Sequence, residues 1–179
     1  MTESNLLTTI ERAARVKLVI FDVDGVLTDG SLHYGADGEA LKTFDVHDGL
    51  GIKLLQESGV QTAIISARTS PQVIRRAADL GISHVHQGGH DKLTPFNALL
   101  QKTGLTAEQV GFIGDDVVDL PILSRVGFAV AVPNGRPEVL ARAHHVTAAH
   151  GGRGAVRELC ELLLQAQGTH AAVMAQFLV

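Results

Sequence analysis

Short apolar runs recur along the chain, and each is followed by a stretch with helical spacing. Residues 17–23 read as a first strand; 61–65, 83–85, 109–113 and 127–132 follow, and 145–147 add an edge. Most of these runs are apolar without alternation, as in strands of a parallel sheet covered on both faces. The stretches between them carry helix punctuation. Leu50, Leu54 and Leu55 form one face before Gly59. Ser70 and Pro71 read as an N-cap with proline at the first helical position, and Gly81 closes that helix. Residues 91–102 place Leu93, Phe96, Leu99 and Leu100 on one side, with Gly104 as the stop. A further helix spans 116–125. In 155–167, Val156, Leu159, Cys160 and Leu163 fall at i, i+3, i+4 and i+7. Strand–helix alternation of this kind predicts an α/β fold with a doubly wound parallel sheet.

One segment breaks the alternation. In residues 31–45, Leu32 and Tyr34 alternate with other residues, Asp37-Gly38 marks a turn, and Leu41, Thr43 and Asp45 alternate with Lys42 and Phe44. This predicts a β-hairpin projecting from the end of the first strand, too small for a cap domain. With no repeat, low-complexity tract or linker, the chain reads as one domain over 1–179. Its core covers about 16–168, and a tail occupies 169–179.

Composition narrows the class. The chain has 179 residues, 45% of them hydrophobic, and a formal net charge of -4 with acids and bases intermixed. Neither a nucleic-acid surface nor a polybasic membrane patch is expected. The single cysteine, Cys160, forms no internal disulfide and suits a reducing compartment. The opening residues include Glu3 and Glu11 and lack a continuous apolar stretch, so no secretory signal is expected. No apolar run approaches the ~20 residues of a membrane span. The expectation is a cytoplasmic protein.

The candidate chemistry lies where the predicted strands end. In open α/β sheets ligands bind beyond the carboxyl ends of the strands. Asp22 and Asp24 follow the first strand in "FDVDG", Ser66 follows "TAII", Lys92 follows the short third strand, and Asp115 and Asp116 follow "VGFIG". Taken singly, Ser66 reads as a turn residue, Lys92 as a solvated helix residue and Asp116 as an N-cap. Together they lie at one edge of one sheet. Acids packed so closely repel one another and call for a cation, and oxygen donors with few soft ligands suit Mg²⁺. A carboxylate can act as nucleophile and form an aspartyl-phosphate, with the transferred group's charge held by a metal ion and an ammonium. On this reading Asp22 attacks phosphorus. Asp24 protonates the leaving alkoxide, then takes a proton from the hydrolytic water. Lys92, Ser66 and loop amides hold the phosphoryl oxygens.

"DVDGVLTDG", the Ser66 loop, Lys92 and "GDDVVD" resemble the four ordered motifs of the haloacid dehalogenase superfamily. The resemblance implies Asp22 as nucleophile, Asp24 as general acid/base, and Ser66, Ala67, Arg68 and Lys92 around the phosphate. It implies Mg²⁺ held by the Asp22 side chain, the Asp24 carbonyl and the Asp115 side chain, with Asp116 and Asp119 in support. Asp24 favours a phosphatase over a dehalogenase. "GEALKTFDVHDGLGIKLL", "HVHQGGHDKL" and "GGRGAVRELCELLLQAQG" are similar to the capless 3-deoxy-D-manno-octulosonate 8-phosphate (KDO 8-phosphate) phosphatases. That family serves lipopolysaccharide synthesis. Its members form homotetramers in which hairpins pack together and a neighbour closes each site. The resemblance adds His47, Asp48 and Gly49 as substrate contacts and a sugar-acid phosphate as the small-molecule partner. Two departures stand out: Ser66-Ala67-Arg68 replaces the usual Thr-Gly-Arg, and His47 stands where the family usually carries Arg. The lost guanidinium bears on recognition of an anionic sugar. A nine-carbon sialic-acid-type phosphate is the nearby alternative. A phosphoreceiver domain and a non-catalytic scaffold are alternatives of other classes; the DxD pair and late GDD order disfavour the receiver, and the intact acid set disfavours the scaffold.

The remaining residues carry weaker expectations. Arg68 contacts phosphate or the sugar carboxylate, whereas Arg75 and Arg76 face solvent or an interface. His84, His86, His90, His144, His145 and His150 read as surface, interface or structural residues, since their spacing matches no standard zinc set. Cys160 reads as core. Gly151–Gly154 reads as a flexible connection or an anion-facing loop. The tail docks on its own subunit or enters a neighbour's site.

Overall fold

A computed structural model of the protein describes residues 8–178. The signal-peptide reading of residues 1–7 and the last tail residue, Val179, lie outside them. Among the described residues no helix is long and apolar enough to cross a membrane.

Six strands form one parallel sheet: β1 (Leu18–Phe21), β4 (Gln61–Ser66), β5 (His84–Gln87), β6 (Val110–Gly114), β7 (Phe128–Ala131) and β8 (His145–Val146), with β2 (His33–Gly35) and β3 (Gly38–Leu41) pairing apart as the hairpin. The sheet order is β5-β4-β1-β6-β7-β8. The missing alternation has a direct cause. In β1, Val19 and Phe21 point to one face and Leu18 and Ile20 to the other, and all four are fully buried. Each such burial stabilises the fold by roughly 1.5–3 kcal/mol.

The first face is covered by α1 (Thr9–Ala14), α2 (Val46–Glu57), α3 (Pro71–Leu80), α7 (Ala155–Ala166) and α8 (His170–Met174). Leu54, Leu55, Val73, Ala77, Val156 and Leu159 pack there. The second carries α4 (Leu93–Thr103), α5 (Leu120–Leu123) and α6 (Pro137–Leu140), whose Phe96, Leu99, Ile122, Leu123 and Val139 are buried. Gly81 and Gly104 end α3 and α4 at φ 71° and 69°, the left-handed conformation glycine adopts without cost. Cys160 is fully buried in the first layer, as expected.

Several boundaries differ from the sequence reading. The second hairpin strand stops at Leu41, because the Asp45 carboxylate caps α2 by accepting the amides of His47 and Asp48. Leu50 lies on the outer face of α2, 42% exposed. The helix expected over 116–125 is a 3₁₀ turn, Val117–Asp119, followed by the one-turn α5. Helix α4 starts at Leu93 because the Asp91 carboxylate accepts the amides of Leu93 and Thr94. Helix α1, closed by a Thr8–Glu11 capping box, was not anticipated; its six residues are too few for a periodic signal. The tail docks on its own chain: Val173 is buried against the first layer, and Gln176 donates to Glu57 at 2.7 Å.

Candidate active site

β1 lies between β4 and β6, where the strand order reverses, so the ends of these three strands converge on one crevice. Asp22 is the first residue past β1, its amide bonded to the Ile113 carbonyl at 3.1 Å. The chain then leaves helical geometry at Asp24 (φ -74°, ψ 115°) and Gly25 (φ 90°). A side chain at Gly25 would collide with the Asp115 carboxylate, so both the backbone and the neighbour require glycine. Ser66 ends β4, and its carbonyl accepts the Gly88 amide, joining the loops after β4 and β5. Asp115 follows β6.

The crevice is a pocket of about 180 Å³ lined by Asp22, Asp24, Ser66, Ala67, Arg68, His90, Lys92, Asp115, Asp116 and Val118. Seven residues from four separate loops thus meet as expected: Asp22, Asp24, Ser66, Ala67, Arg68, Lys92 and Asp115. Asp116 lines the pocket while capping the 3₁₀ turn through the Val117 amide. Lys92 is buried, and its Nζ donates to Asp22 Oδ1 at 2.7 Å and Asp119 Oδ1 at 2.6 Å. Asp119 is fully buried behind the pocket, its Oδ2 accepting the amides of Asp115 and Asp116. It therefore fixes both the lysine and the loop.

The electrostatics are those of a crowded acid cluster. Burial, then the charge of Asp119, raises Asp22 to about 7 against the pull of Lys92. Burial, then Asp22, Asp119 and Asp116, raises Asp115 to about 8. One oxygen from each of Asp22, Asp115 and Asp119 lies within 4.8 Å of the others, and one ammonium serves the set. Asp115 Oδ1 is buried without a hydrogen-bond partner. An unpaired buried carboxylate oxygen, in an all-oxygen donor set carrying surplus negative charge, fits a hard divalent cation. Among the described residues this is the one group of three or more His, Cys, Asp or Glu side chains so arranged, and no histidine belongs to it.

Three predicted contacts lie elsewhere in this chain. The His47 side chain is 76% exposed on the first turn of α2, its Nδ1 3.2 Å from Asp45 Oδ1. Asp48 is buried away from the pocket, where its Oδ1 accepts the Arg157 amide at 2.7 Å and caps α7. Gly49 packs beneath Arg76 and Leu80, where a Cβ would collide with the guanidinium. The first turn of α2 is thus a helix joint, and the capping of Asp45 turns Asp48 inward. Arg76 is a packing residue too, donating to the Asp45 carbonyl at 3.0 Å and lying 5.7 Å over the Phe44 ring. Gly151–Gly154 is not a flexible connection, and the anion at the helix start it leads into is the chain's own Asp48 carboxylate. The Gly152 amide bonds the Val26 carbonyl at 2.8 Å, and Gly151 packs on the Gly25 carbonyl, bracing the acid-bearing loop from behind.

Four residues at the site were missed. Asn134 bridges the Gly25 carbonyl (2.9 Å) and the Gly151 amide (2.8 Å). It follows β7, so the strand-end rule that found Ser66 pointed to it as well. His90 is exposed, as a surface histidine, and also lines the pocket. Lys42 and Glu39 come from the hairpin. Lys42 Nζ pairs with Asp24 Oδ1 and with Glu39 Oε1 (2.7 Å); Arg68 reaches Glu39 Oε2 (3.3 Å) and Asp24 Oδ2 (3.8 Å). Nothing local in "GEALK" sets Glu39 and Lys42 apart from a solvated charged pair.

Known proteins resemble this chain in sequence and fold. A family model described as haloacid dehalogenase-like hydrolase matches residues 81–159. The chain is 47% identical to the 3-deoxy-D-manno-octulosonate 8-phosphate phosphatase KdsC of Escherichia coli over 89% of this chain and 85% of that protein. The crystal structure of a probable yrbi family phosphatase from Pseudomonas syringae superposes with a TM-score of 0.93 at 50% identity, covering 96% of this chain and 97% of that one. The 3-deoxy-D-manno-octulosonate 8-phosphate phosphatase of Moraxella catarrhalis, solved with a magnesium ion, a phosphate ion and a KDO molecule, gives 0.92 at 44% identity, with 94% and 97% covered. The chain belongs to the haloacid dehalogenase-like hydrolases and, within them, to the family of 3-deoxy-D-manno-octulosonate 8-phosphate phosphatases, enzymes that hydrolyse phosphoric monoesters.

Proposed function

We propose that this protein hydrolyses 3-deoxy-D-manno-octulosonate 8-phosphate to KDO and inorganic phosphate in the cytoplasm, as a Mg²⁺-dependent step of lipopolysaccharide precursor synthesis. The observation that carries the reading is the pairing of Asp22 with Lys92 in a pocket also lined by Asp24, Ser66 and Arg68.

The Asp22 carboxylate attacks phosphorus while the ester P–O bond breaks. Asp24, as the carboxylic acid, gives its proton to the departing alkoxide, leaving a sugar alcohol and a phosphorylated Asp22. Water then attacks the same phosphorus, Asp24 takes its proton, and the acyl-phosphate P–O bond breaks to release phosphate and restore Asp22. The Lys92 ammonium, the Ser66 hydroxyl and loop amides hold the phosphoryl oxygens, while Arg68 meets the anionic end of the substrate. Asp22, Asp115 and the Asp24 carbonyl would hold Mg²⁺, with Asp116 and Asp119 behind them; the bound ion supplies the positive charge that lets both carboxylates ionise and offsets charge on the transferring group. The homotetramer belongs to the same proposal and is supported by the exposed apolar side chains of the hairpin and the start of α2: Leu32, Tyr34, Leu41 and Val46.

The test is phosphate release with Mg²⁺ across KDO 8-phosphate, a nine-carbon sialic-acid-type phosphate and simple alkyl phosphates. Preference for the eight-carbon substrate, abolished by Asp22→Asn, supports the reading. A preference for the nine-carbon ester moves the substrate, and stable phosphorylation without turnover overturns the phosphatase assignment.

A further inference from the structure

Lys42 is a buried cation that the reaction as described does not use. Its side chain is 1% exposed, although it comes from a hairpin whose own strands are largely exposed. Burying an ammonium is costly unless fixed charges surround it. Here they form a closed ring of alternating sign: Asp24, Lys42, Glu39, Arg68 and back to Asp24. Lys42 takes Oδ1 of Asp24, and Arg68 faces Oδ2. The terminal torsion of an aspartate is otherwise broad. Among the described residues the Asp24 carboxylate has no hydrogen-bond partner besides Lys42. The ring is what fixes its plane.

The ring also ties that carboxylate to the hairpin. Glu39 and Lys42 sit in and just past β3, and Gln72 of α3 anchors the strand through the carbonyls of Glu39 (3.4 Å) and Ala40 (3.2 Å). We propose that Lys42 is a positioning residue for Asp24, with Glu39 as its anchor, and that the seated hairpin thereby sets the geometry of proton delivery to the leaving group. The two lysines divide the work: Lys92 serves the attacking acid and Lys42 the proton-carrying one. This inference rests on the assignment of Asp24 as general acid.

The experiment compares wild type, Lys42→Met and Glu39→Gln, as the full chain with Mg²⁺, on an alkyl ester (the sugar-acid phosphate) and on p-nitrophenyl phosphate. The parameter read is kcat/KM, which stops at the first P–O cleavage. An alkoxide must be protonated as it leaves; p-nitrophenolate leaves unaided. In Lys42→Met, kcat/KM falls about 100-fold on the alkyl ester, the scale of a misplaced catalytic group, and stays within about threefold on the aryl ester because the proton is not needed there. Glu39→Gln keeps the acceptor and loses the charge, and shows the same split at about tenfold on the alkyl ester. Equal losses on both esters, in either variant, would mean a structural or general charge role and overturn the proposal, as would an unchanged alkyl rate. Should Lys42→Met not fold, Glu39→Gln decides alone. A wild type that cleaves neither ester removes the phosphatase reading and this inference with it; a wild type that cleaves both, with no split in the variants, removes only the role of Lys42.

Discussion

Replacing Lys92 by methionine isolates the charge at the floor of the pocket. Methionine is close to lysine in length and fills the same space, so the cavity cost is small. What disappears is one ammonium with two contacts, 2.7 Å to Asp22 and 2.6 Å to Asp119. Both carboxylates are left buried and facing each other. Removing one partner of a buried ion pair costs roughly 3–5 kcal/mol, mostly from the charge left behind. That is a large share of a typical total of about 5–15 kcal/mol.

The pH dependence separates charge from packing. Asp22 sits at about 7 in the folded protein, raised above its unfolded value. An acid raised in this way is a native-state burden that grows as pH climbs from the unfolded value through the folded one. At pH 8 Lys92 faces an ionised Asp22; at pH 5 Asp22 carries a proton, and removing the ammonium strands less charge in the variant. The expected gap between wild type and Lys92→Met, from urea unfolding with chelator present, is therefore about 3–5 kcal/mol at pH 8 and about half that at pH 5. Phosphate release falls by roughly 10²–10³, the cost of removing one stabilising donor. An identical stability gap at the two pH values would refute the stranded-charge account. A variant keeping more than about a tenth of wild-type kcat/KM would refute the catalytic one.

Three further outcomes follow from the same geometry. Gly25→Ala forces a left-handed residue against Asp115, so it should cost about 1–2 kcal/mol of strain and abolish activity in a folded protein; circular dichroism with a phosphate assay checks both. Mg²⁺ added to chelator-treated protein should raise the melting temperature, equivalent to about 2.7 kcal/mol at a hundredfold excess over its Kd, and Asp115→Asn should remove the gain; an equal rise in that variant would place the ion elsewhere. Asp48, raised to about 6 chiefly by burial, burdens the native state increasingly between its unfolded value and pH 6, by up to about 3 kcal/mol above that. Asp48→Asn, which keeps an acceptor for the Arg157 amide, should therefore gain on wild type as pH rises from 4 to 7; parallel curves would contradict the assignment.

What could be read from the chain divides along a physical line. Burial follows local period, and local period is written in the sequence: β1 is apolar at every position because Leu18 and Ile20 meet one layer while Val19 and Phe21 meet the other. The chemistry at the strand ends was legible for the same reason, since once the strands are placed their carboxyl ends must share an edge. Asp22, Ser66, Lys92 and Asp115 needed no side-chain detail to be brought together. Asp48 failed because its direction is set by a capping bond three residues earlier, which decides whether an acid beside a glycine faces solvent, ligand or a neighbouring helix. Lys42 failed for a stronger reason. Glu39 and Lys42 have the spacing of a solvated charged face, and nothing local distinguishes them from one. Only when the hairpin folds back over the loop of Asp24, 18 residues away, does the pair become buried and matched in sign. A charge ring of this kind is a product of chain closure rather than of propensity. Its members look ordinary one at a time, and the buried lysine at its centre is the mark by which it is found.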